Sequence, residues 1–264
     1  YLIQPERVCN ERIKIVNVIP SSPSSTDARS VIRNLWGNLI YTNFTGMATY
    51  FLFGTTNSWH DLNQIYYESQ TFHDIIQLDF HDSYENLSIK TLSIMHWTGY
   101  FCPQADWVLK SDEDVFIDPF AVSNFLADKL THNDFICNLN RNLKVCRPGA
   151  KCEQRYAISR ETYPENYYPP YCSGGGYIVR HEMARRIYKA ANNSRLHPME
   201  DAFFTGIVVQ DLNPTYTVLS GRRLHYNRRR QKFLWWGYTL MYHKYPQNGT
   251  ELWQKILKHN GFDI

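Results

Sequence analysis

Residues 107–118 read WVLKSDEDVFID: a short apolar run, three consecutive acids, then apolar residues again. Adjacent carboxylates repel one another unless something cationic relieves them. Two readings of Asp112, Glu113 and Asp114 are open from this stretch alone, a solvated turn or a divalent metal site. The flanks Val108-Leu109 and Val115-Phe116-Ile117 hold the triplet on buried backbone, so the run before it reads as a buried strand ending on the acids.

Outward from that strand, elements alternate. KIVNVIP is a second apolar run fit for a buried strand, and Ser25-Thr26-Asp27 caps a helix whose apolar positions Ala28, Val31, Ile32, Leu35, Trp36 and Leu39 fall at helical spacing. MATYFLFG and DIIQLDF read as strands, and LSIKTLSIMHWTGYF as a long helix entered through Asp82, Ser83 or Asn86. HEMARRIYKAA and EDAFFTGIVVQDL read as later helices, and TYTVLS lies between them and a closing helix near LWQKILKH. Alternation of this kind implies an α/β fold with a mostly parallel, twisted sheet covered on both faces. Such sheets bind ligands beyond the carboxyl ends of their strands, where Asp112–Asp114 fall. A D-x-D there can give one carboxylate to a hard cation while the other reaches a ribose, a sugar or a metal-bound water; oxygen ligands suit Mg²⁺ or Mn²⁺.

Composition narrows the class. The 264 residues are 43% hydrophobic and 15% aromatic, a globular composition read here as a single domain over 1–264. Twenty-eight basic residues against 25 acidic ones leave +3, too little to make a nucleic-acid binder the default. Five arginines cluster in GRRLHYNRRR, at Arg222, Arg223, Arg228, Arg229 and Arg230, as a solvated face or an anion contact. No stretch has the roughly 18 apolar residues needed to cross a bilayer. The chain begins at Tyr1, so an excised domain with any anchor upstream is expected. Sequons at Asn43, Asn86, Asn192 and Asn248, with six cysteines able to form up to three disulfides in any of fifteen pairings, favour an oxidising lumen. No C-x-x-C pair suggests zinc.

Six segments in order, RSVIRNLWG (29–37), FLFG (51–54), DIIQLDFHDSYENLSIKT (74–91), FCPQADWVLKSDEDVFID (101–118), YPPYCSGGGYIV (168–179) and MEDAFFTGIVV (199–209), resemble the β1,3-galactosyltransferase family, which includes β1,3-N-acetylglucosaminyl- and N-acetylgalactosaminyltransferases. The resemblance implies a GT-A fold, a Rossmann-like sandwich, and inverting transfer of galactose or an N-acetylhexosamine from a UDP-sugar to a glycan acceptor. It also implies Mn²⁺ and, usually, a type II membrane protein of the Golgi. On this match Asp112 and Asp114 are the metal motif, Asp201 of Glu200-Asp201 is the base, and His243 of MYHKYP is a His presented to the metal.

That chemistry needs an acceptor hydroxyl deprotonated as it attacks the anomeric carbon, while a cation on the diphosphate takes up the leaving group's charge. One catalytic carboxylate then suffices. The plain alternative for Asp201 is an acid in a helix's first turn. Gly174 and Gly175 of SGGGY permit close backbone approach to a sugar, or form a turn leading into a strand. Arg29 and Arg33, four apart on the first helix, and Lys90 are candidates for the uridine or its phosphates, as is Glu113; an exposed helix pair is the alternative for the arginines. Tyr168, Tyr171, Trp235 and Trp236 are candidates to stack an acceptor sugar, or are core. Two function classes remain, an active transferase and a non-catalytic lumenal glycan-binding or chaperone protein of the same fold. The intact acids at 112, 114, 200 and 201 favour the first. The absence of a Gly-x-x-x-x-Gly-Lys loop argues against phosphoryl transfer.

Overall fold

The computed structural model describes residues 1–5, 9–127, 133–192, 194–219, 221, 223–225, 239–243 and 248–263. Its strands are β1 (Ile15–Pro20), β2 (Met47–Thr55), β3 (Ile75–His81), β4 (Trp107–Ser111), β5 (Val115–Ile117), β6 (Phe135–Asn140), β7 (Tyr171–Arg180), β8 (Tyr216–Val218), β9 (Leu224–His225) and β10 (Met241–His243). The helices are α1 (Thr26–Asn34), α2 (Thr42–Thr45), α3 (Trp59–Phe72), α4 (Leu87–Phe101), α5 (Pro119–Ala127), α6 (His181–Ala191), α7 (Glu200–Ala202) and α8 (Gly249–His259).

Seven strands make one sheet in the order β3-β2-β1-β4-β7-β6-β8. Strand β7 runs against both neighbours, and the other pairings in the sheet are parallel. This is the mostly parallel α/β architecture expected from the alternation of elements. Every residue of β1 and β4 is buried, as a strand covered on both faces requires. Side-chain alternation divides them: Ile15, Ile19, Trp107 and Leu109 join one apolar layer, Val16, Val18 and Val108 the other. Asn17 interrupts the first layer, donating to Thr49 Oγ1 and accepting from Ser111 Oγ, so a polar rung ties β2, β1 and β4 together, reaching the carboxyl end of β4 at Ser111.

Three elements differ from the expectation. The first helix stops at Asn34 instead of reaching Leu39, because Leu35 and Gly37 both turn their N–H groups back onto Ile32 O. WVLKSDED is strand only to Ser111; Val115 N–H closes a turn onto Asp112 O, and the chain resumes as β5 in a small sheet ordered β5-β10-β9. EDAFFTGIVVQDL is one α-turn, a π-turn over Phe203–Ile207 and a 3-10 turn over Gln210–Leu212. Thr205 accounts for the widened turn: its hydroxyl donates to Asp201 O and accepts from Cys172 N, and Tyr216 OH takes its carbonyl. The cysteines pair as Cys9–Cys102, Cys137–Cys172 and Cys146–Cys152. No described helix is long and apolar enough to cross a membrane.

Candidate active site

A cleft of about 570 Å³ opens over the carboxyl end of β4, lined by Lys110, Asp112, Gly174, Gly175, Glu200, Asp201 and His243 among others. Its centre is a lysine that the sequence reading passed over. Lys110, 1% exposed, points toward α4 and α7, with its ammonium 2.6 Å from Asp112 Oδ1, 2.7 Å from Gly174 O and 2.9 Å from Glu200 Oε1. Burial works against its charge, but Asp112 and Glu200 outweigh burial and keep it cationic well above the ordinary lysine range. Here is the cation that relieves the acidic run. The signal was present as a lysine two residues before the D-x-D in a strand otherwise apolar.

Glu200 is 4% exposed, faces Lys110 and accepts from Thr91 Oγ1 at 3.1 Å. Burial pushes its carboxyl up to about 7, with Lys110 pulling against the shift and Asp201 adding to it. Asp201 is held differently. Its Oδ2 accepts from Gly174 N at 3.0 Å and its Oδ1 from Ala202 N at 2.8 Å, so two backbone N–H groups fix the carboxylate at the cleft wall. Burial raises its pKa also, against those two bonds and Lys110.

Glycines 174 and 175 lie inside β7, so the alternative of a turn leading into the strand does not hold. What approaches them is protein. A Cβ on Gly174 would stand 3.1 Å from Asp201 Oδ2, and one on Gly175 would stand 2.8 Å from His243 Cδ2. The glycines let the base candidate and the histidine settle onto the strand. His243 reaches this place because β10 pairs with β5, setting His243 opposite Val115, and its Nε2 is 4.0 Å from Asp114 Oδ1. Among the described residues no three His, Cys, Asp or Glu side chains gather to cage a metal. One carboxylate and one imidazole at a cleft mouth nevertheless fit Mg²⁺ or Mn²⁺, which complete their shells with substrate phosphates and water. Asp112, tied to Lys110, is the less available of the two acids.

The nucleotide-side candidates need correction. Arg29 is fully buried, and all five of its N–H donors are used, on Glu68, Ser21, Ser22, Pro23 and Thr26. Arg33 binds Asp74 through two nitrogens and Glu68 through the third, between the rings of Phe51 and Phe72. Arg29 has no donor left for a nucleotide, Arg33 is buried with each of its three nitrogens on a carboxylate, and the pair is not an exposed helix pair either. Together they brace the Ser21–Pro23 loop beyond β1. Lys90 braces it from the other side, bonding Ser21 O at 2.6 Å and Asp82 Oδ1 at 2.8 Å. Glu113 joins the same loop by accepting from Ser21 Oγ and Ser25 Oγ.

On the other wall Tyr171 lines the cleft but is 3% exposed and Tyr168 is 5% exposed, so both act chiefly as core; Tyr84, 69% exposed, presents far more ring to the cleft. Trp235, Trp236, Arg222 and Arg228–Arg230 lie outside the described residues, while Arg223 stacks over Phe125. Of the sequon asparagines, Asn43, Asn192 and Asn248 are exposed, and Asn86 is half-buried with its amide on His81 O.

Comparison with known proteins accords with this arrangement. The family profile described as Galactosyltransferase matches residues 27–218, from the start of α1 through β8. The chain belongs to that family. It is 36% identical over 225 residues to beta-1,3-galactosyltransferase 1 of Homo sapiens, covering 77% of this chain and 62% of that protein. Beta-1,3-galactosyltransferase 5 of Pan paniscus is 32% identical over 216 residues, covering 81% and 70%. The UDP-GlcNAc:betaGal beta-1,3-N-acetylglucosaminyltransferase 7 of Mus musculus is 33% identical over 210 residues, covering 76% and 52%. This chain thus spans 62% of the length of the first of these relatives. The galactosyltransferase family match encloses Asp112, Asp114, Glu200 and Asp201; His243 falls beyond it.

Proposed function

We propose that this chain is the lumenal catalytic domain of a metal-dependent inverting glycosyltransferase that moves galactose or an N-acetylhexosamine from a UDP-sugar to a glycan acceptor in β1,3 linkage. One observation carries the reading: Asp112, just beyond β4, and Glu200 of α7 both bind one buried ammonium, and Asp201 lines the same cleft. Asp201 is the base. Its carboxylate is oriented by two backbone N–H groups, and it stands at the wall where an acceptor hydroxyl would meet the donor. Glu200 and Lys110 set the charge around it. Asp114 and His243 would hold the ion, which when bound supplies Lewis-acid relief of charge on the departing diphosphate. The loop braced by Arg29, Arg33 and Lys90 carries Ser21 and Ser25, whose hydroxyls fix Glu113 between Asp112 and Asp114. Golgi residence fits the disulfides and the exposed sequons. The test is a panel of UDP-sugars with Mn²⁺ and β-linked acceptors. One donor should give acceptor-dependent UDP release that excess EDTA abolishes and Mn²⁺ restores; no release with any donor, or full activity in EDTA, would overturn the proposal.

A further inference from the structure

Beside the active-site cleft, and sharing its wall at Lys144, Cys146 and Cys152, lies a second cavity of about 470 Å³. Lys144, Arg147, Lys151 and Arg160 line it together with Asn166, and no acid does. The segment that builds it, residues 141–167, carries six basic residues against three acidic ones. Within the segment one cation, Arg155, is paired with a carboxylate, that of Glu153.

Elsewhere the buried cations of this protein are neutralised. Arg29, Arg33, Lys90 and Lys110 each face a carboxylate within 2.9 Å. The cavity's cations differ. Arg147 donates to the carbonyls of Ile158, Ser159, Tyr163 and Glu165, and Arg160 to Pro164 O and Asn166 Oδ1, all neutral oxygens that leave the positive charge standing. Lys144 and Lys151 are exposed, and among the described residues neither forms an ion pair.

The segment is built rather than loose. Lys144 bridges Tyr167 in an antiparallel pair, Val145 N–H bonds Asn166 O, and the Cys146–Cys152 disulfide closes the turn. Its position is also specific. Val145, which lines the cavity, belongs to one buried cluster with Tyr168, Tyr171 and Ala202, the residue that follows Asp201. The cavity therefore extends the cleft on the side of Asp201.

We propose that this cavity binds an anionic group on the acceptor, a sulfate ester or a carboxylate, so that the preferred acceptor is an acidic glycan. The inference rests on the transferase reading for the word acceptor, and its test does not depend on turnover. Exposed ammonium–anion contacts are each worth about two- to fivefold in affinity, so Lys144 and Lys151 together give about tenfold, falling as added salt screens them.

The probes are N-acetyllactosamine, its 6-O-sulfated form, and the analogue in which the galactose C6 is oxidised to a carboxylate, titrated by calorimetry into the protein saturated with UDP and Mn²⁺. The expected result is binding of one or both acidic probes about tenfold tighter than the neutral one at low salt, with the advantage shrinking severalfold at high salt. Preference for the sulfated probe alone identifies a sulfate site, and for the oxidised probe alone a carboxylate site. The Lys144→Gln, Lys151→Gln double variant, both positions being exposed, should melt like the parent and lose the preference. Equal affinity for all three probes, or a preference that survives in the double variant, overturns the proposal. Absence of sugar transfer to any acceptor would defeat the transferase reading while leaving this binding comparison decisive for the cavity.

Discussion

Replacing Lys110 by Met keeps most of the side chain's volume and removes its charge, which isolates what the ammonium does. In the parent, Glu200 faces that ammonium at 2.9 Å with 4% exposure. Breaking a buried ion pair by deleting one partner costs about 3–5 kcal/mol, because the remaining charge is left desolvated. Glu200 has an escape, since it can take up a proton. A carboxyl raised in the folded state binds its proton more tightly there than in the unfolded chain, so stability falls as pH rises from the unfolded value through the folded one. With a folded value of about 7, Glu200 makes the parent lose on the order of 3 kcal/mol between about pH 4.5 and 7. Without Lys110 the folded value climbs further, and the loss continues above pH 7. The Lys110→Met penalty should therefore be smaller near pH 5, where Glu200 is neutral in both proteins and only the part-exposed Asp112 loses its partner, and reach about 3–5 kcal/mol near pH 8.5. For a domain of this size each kcal/mol moves the melting temperature by about 2–4 °C, so melts of both proteins across that range should separate by about 6–20 °C at the alkaline end. A penalty independent of pH, or one under about 1 kcal/mol throughout, would refute the claim that Lys110 compensates a buried Glu200.

Two further outcomes follow from the same geometry. Glu68→Gln should cost about 3–5 kcal/mol in denaturant unfolding, because Arg29 and Arg33 lose their shared carboxylate. Burial raises the Glu68 pKa but the two arginines outweigh it and hold it low, so the carboxylate's contribution is present above the unfolded pKa and lost as pH falls through the folded one; a change under about 1 kcal/mol at neutral pH would count against the bracing role. Gly175→Ala should push His243 off the strand, since the methyl would stand 2.8 Å from its ring, and weaken Mn²⁺-dependent UDP binding by about tenfold or more while the protein still melts near the parent's temperature; unchanged binding would remove His243 from the metal's neighbourhood.

The sheet was legible because its strands carry their burial on their face: IVNVIP and WVLKS are covered on both sides and read as continuous apolar runs. Helix α3 was not, since WHDLNQIYYESQTF buries Ile65, Glu68 and Ser69 against the core and leaves Trp59, Tyr66 and Tyr67 exposed, which erases the apolar stripe. Glu68 illustrates the limit: its role depends on Arg29 and Arg33, far away in the chain, and no local pattern links them. For the same reason the two arginines read as nucleotide contacts when they are braces. Asp112 and Asp114 were visible from the strand-end position of the D-x-D, whereas Glu200-Asp201 stood out only through the family resemblance, since alone the pair reads as acids in a helix's first turn. The joining lysine was hidden by the reading of WVLKS as a strand, in which a single charge looks like an outward-facing residue, although here the strand has no outward face. Strands β5, β9 and β10, of two or three residues each, are too short for periodicity to mark, and they decide where His243 goes.

Asp201→Asn asks whether Asp201 takes the acceptor's proton. The amide keeps a carbonyl oxygen for the Gly174 N–H, gives up only the acceptor for the Ala202 N–H and changes little of the side chain's shape, so fold and UDP binding are expected to persist. Loss of a general base costs on the order of 10²–10⁴ in rate, whereas loss of a helix-terminal acid costs about 0.3–1 kcal/mol of stability. With the donor fixed by the panel, single-turnover transfer by Asp201→Asn should be at least about a hundredfold slower than the parent, at a melting temperature within a few degrees and with Mn²⁺-dependent UDP affinity retained. Transfer at near the parent's rate would contradict the account, leaving Asp201 a residue that only fastens α7 to β7.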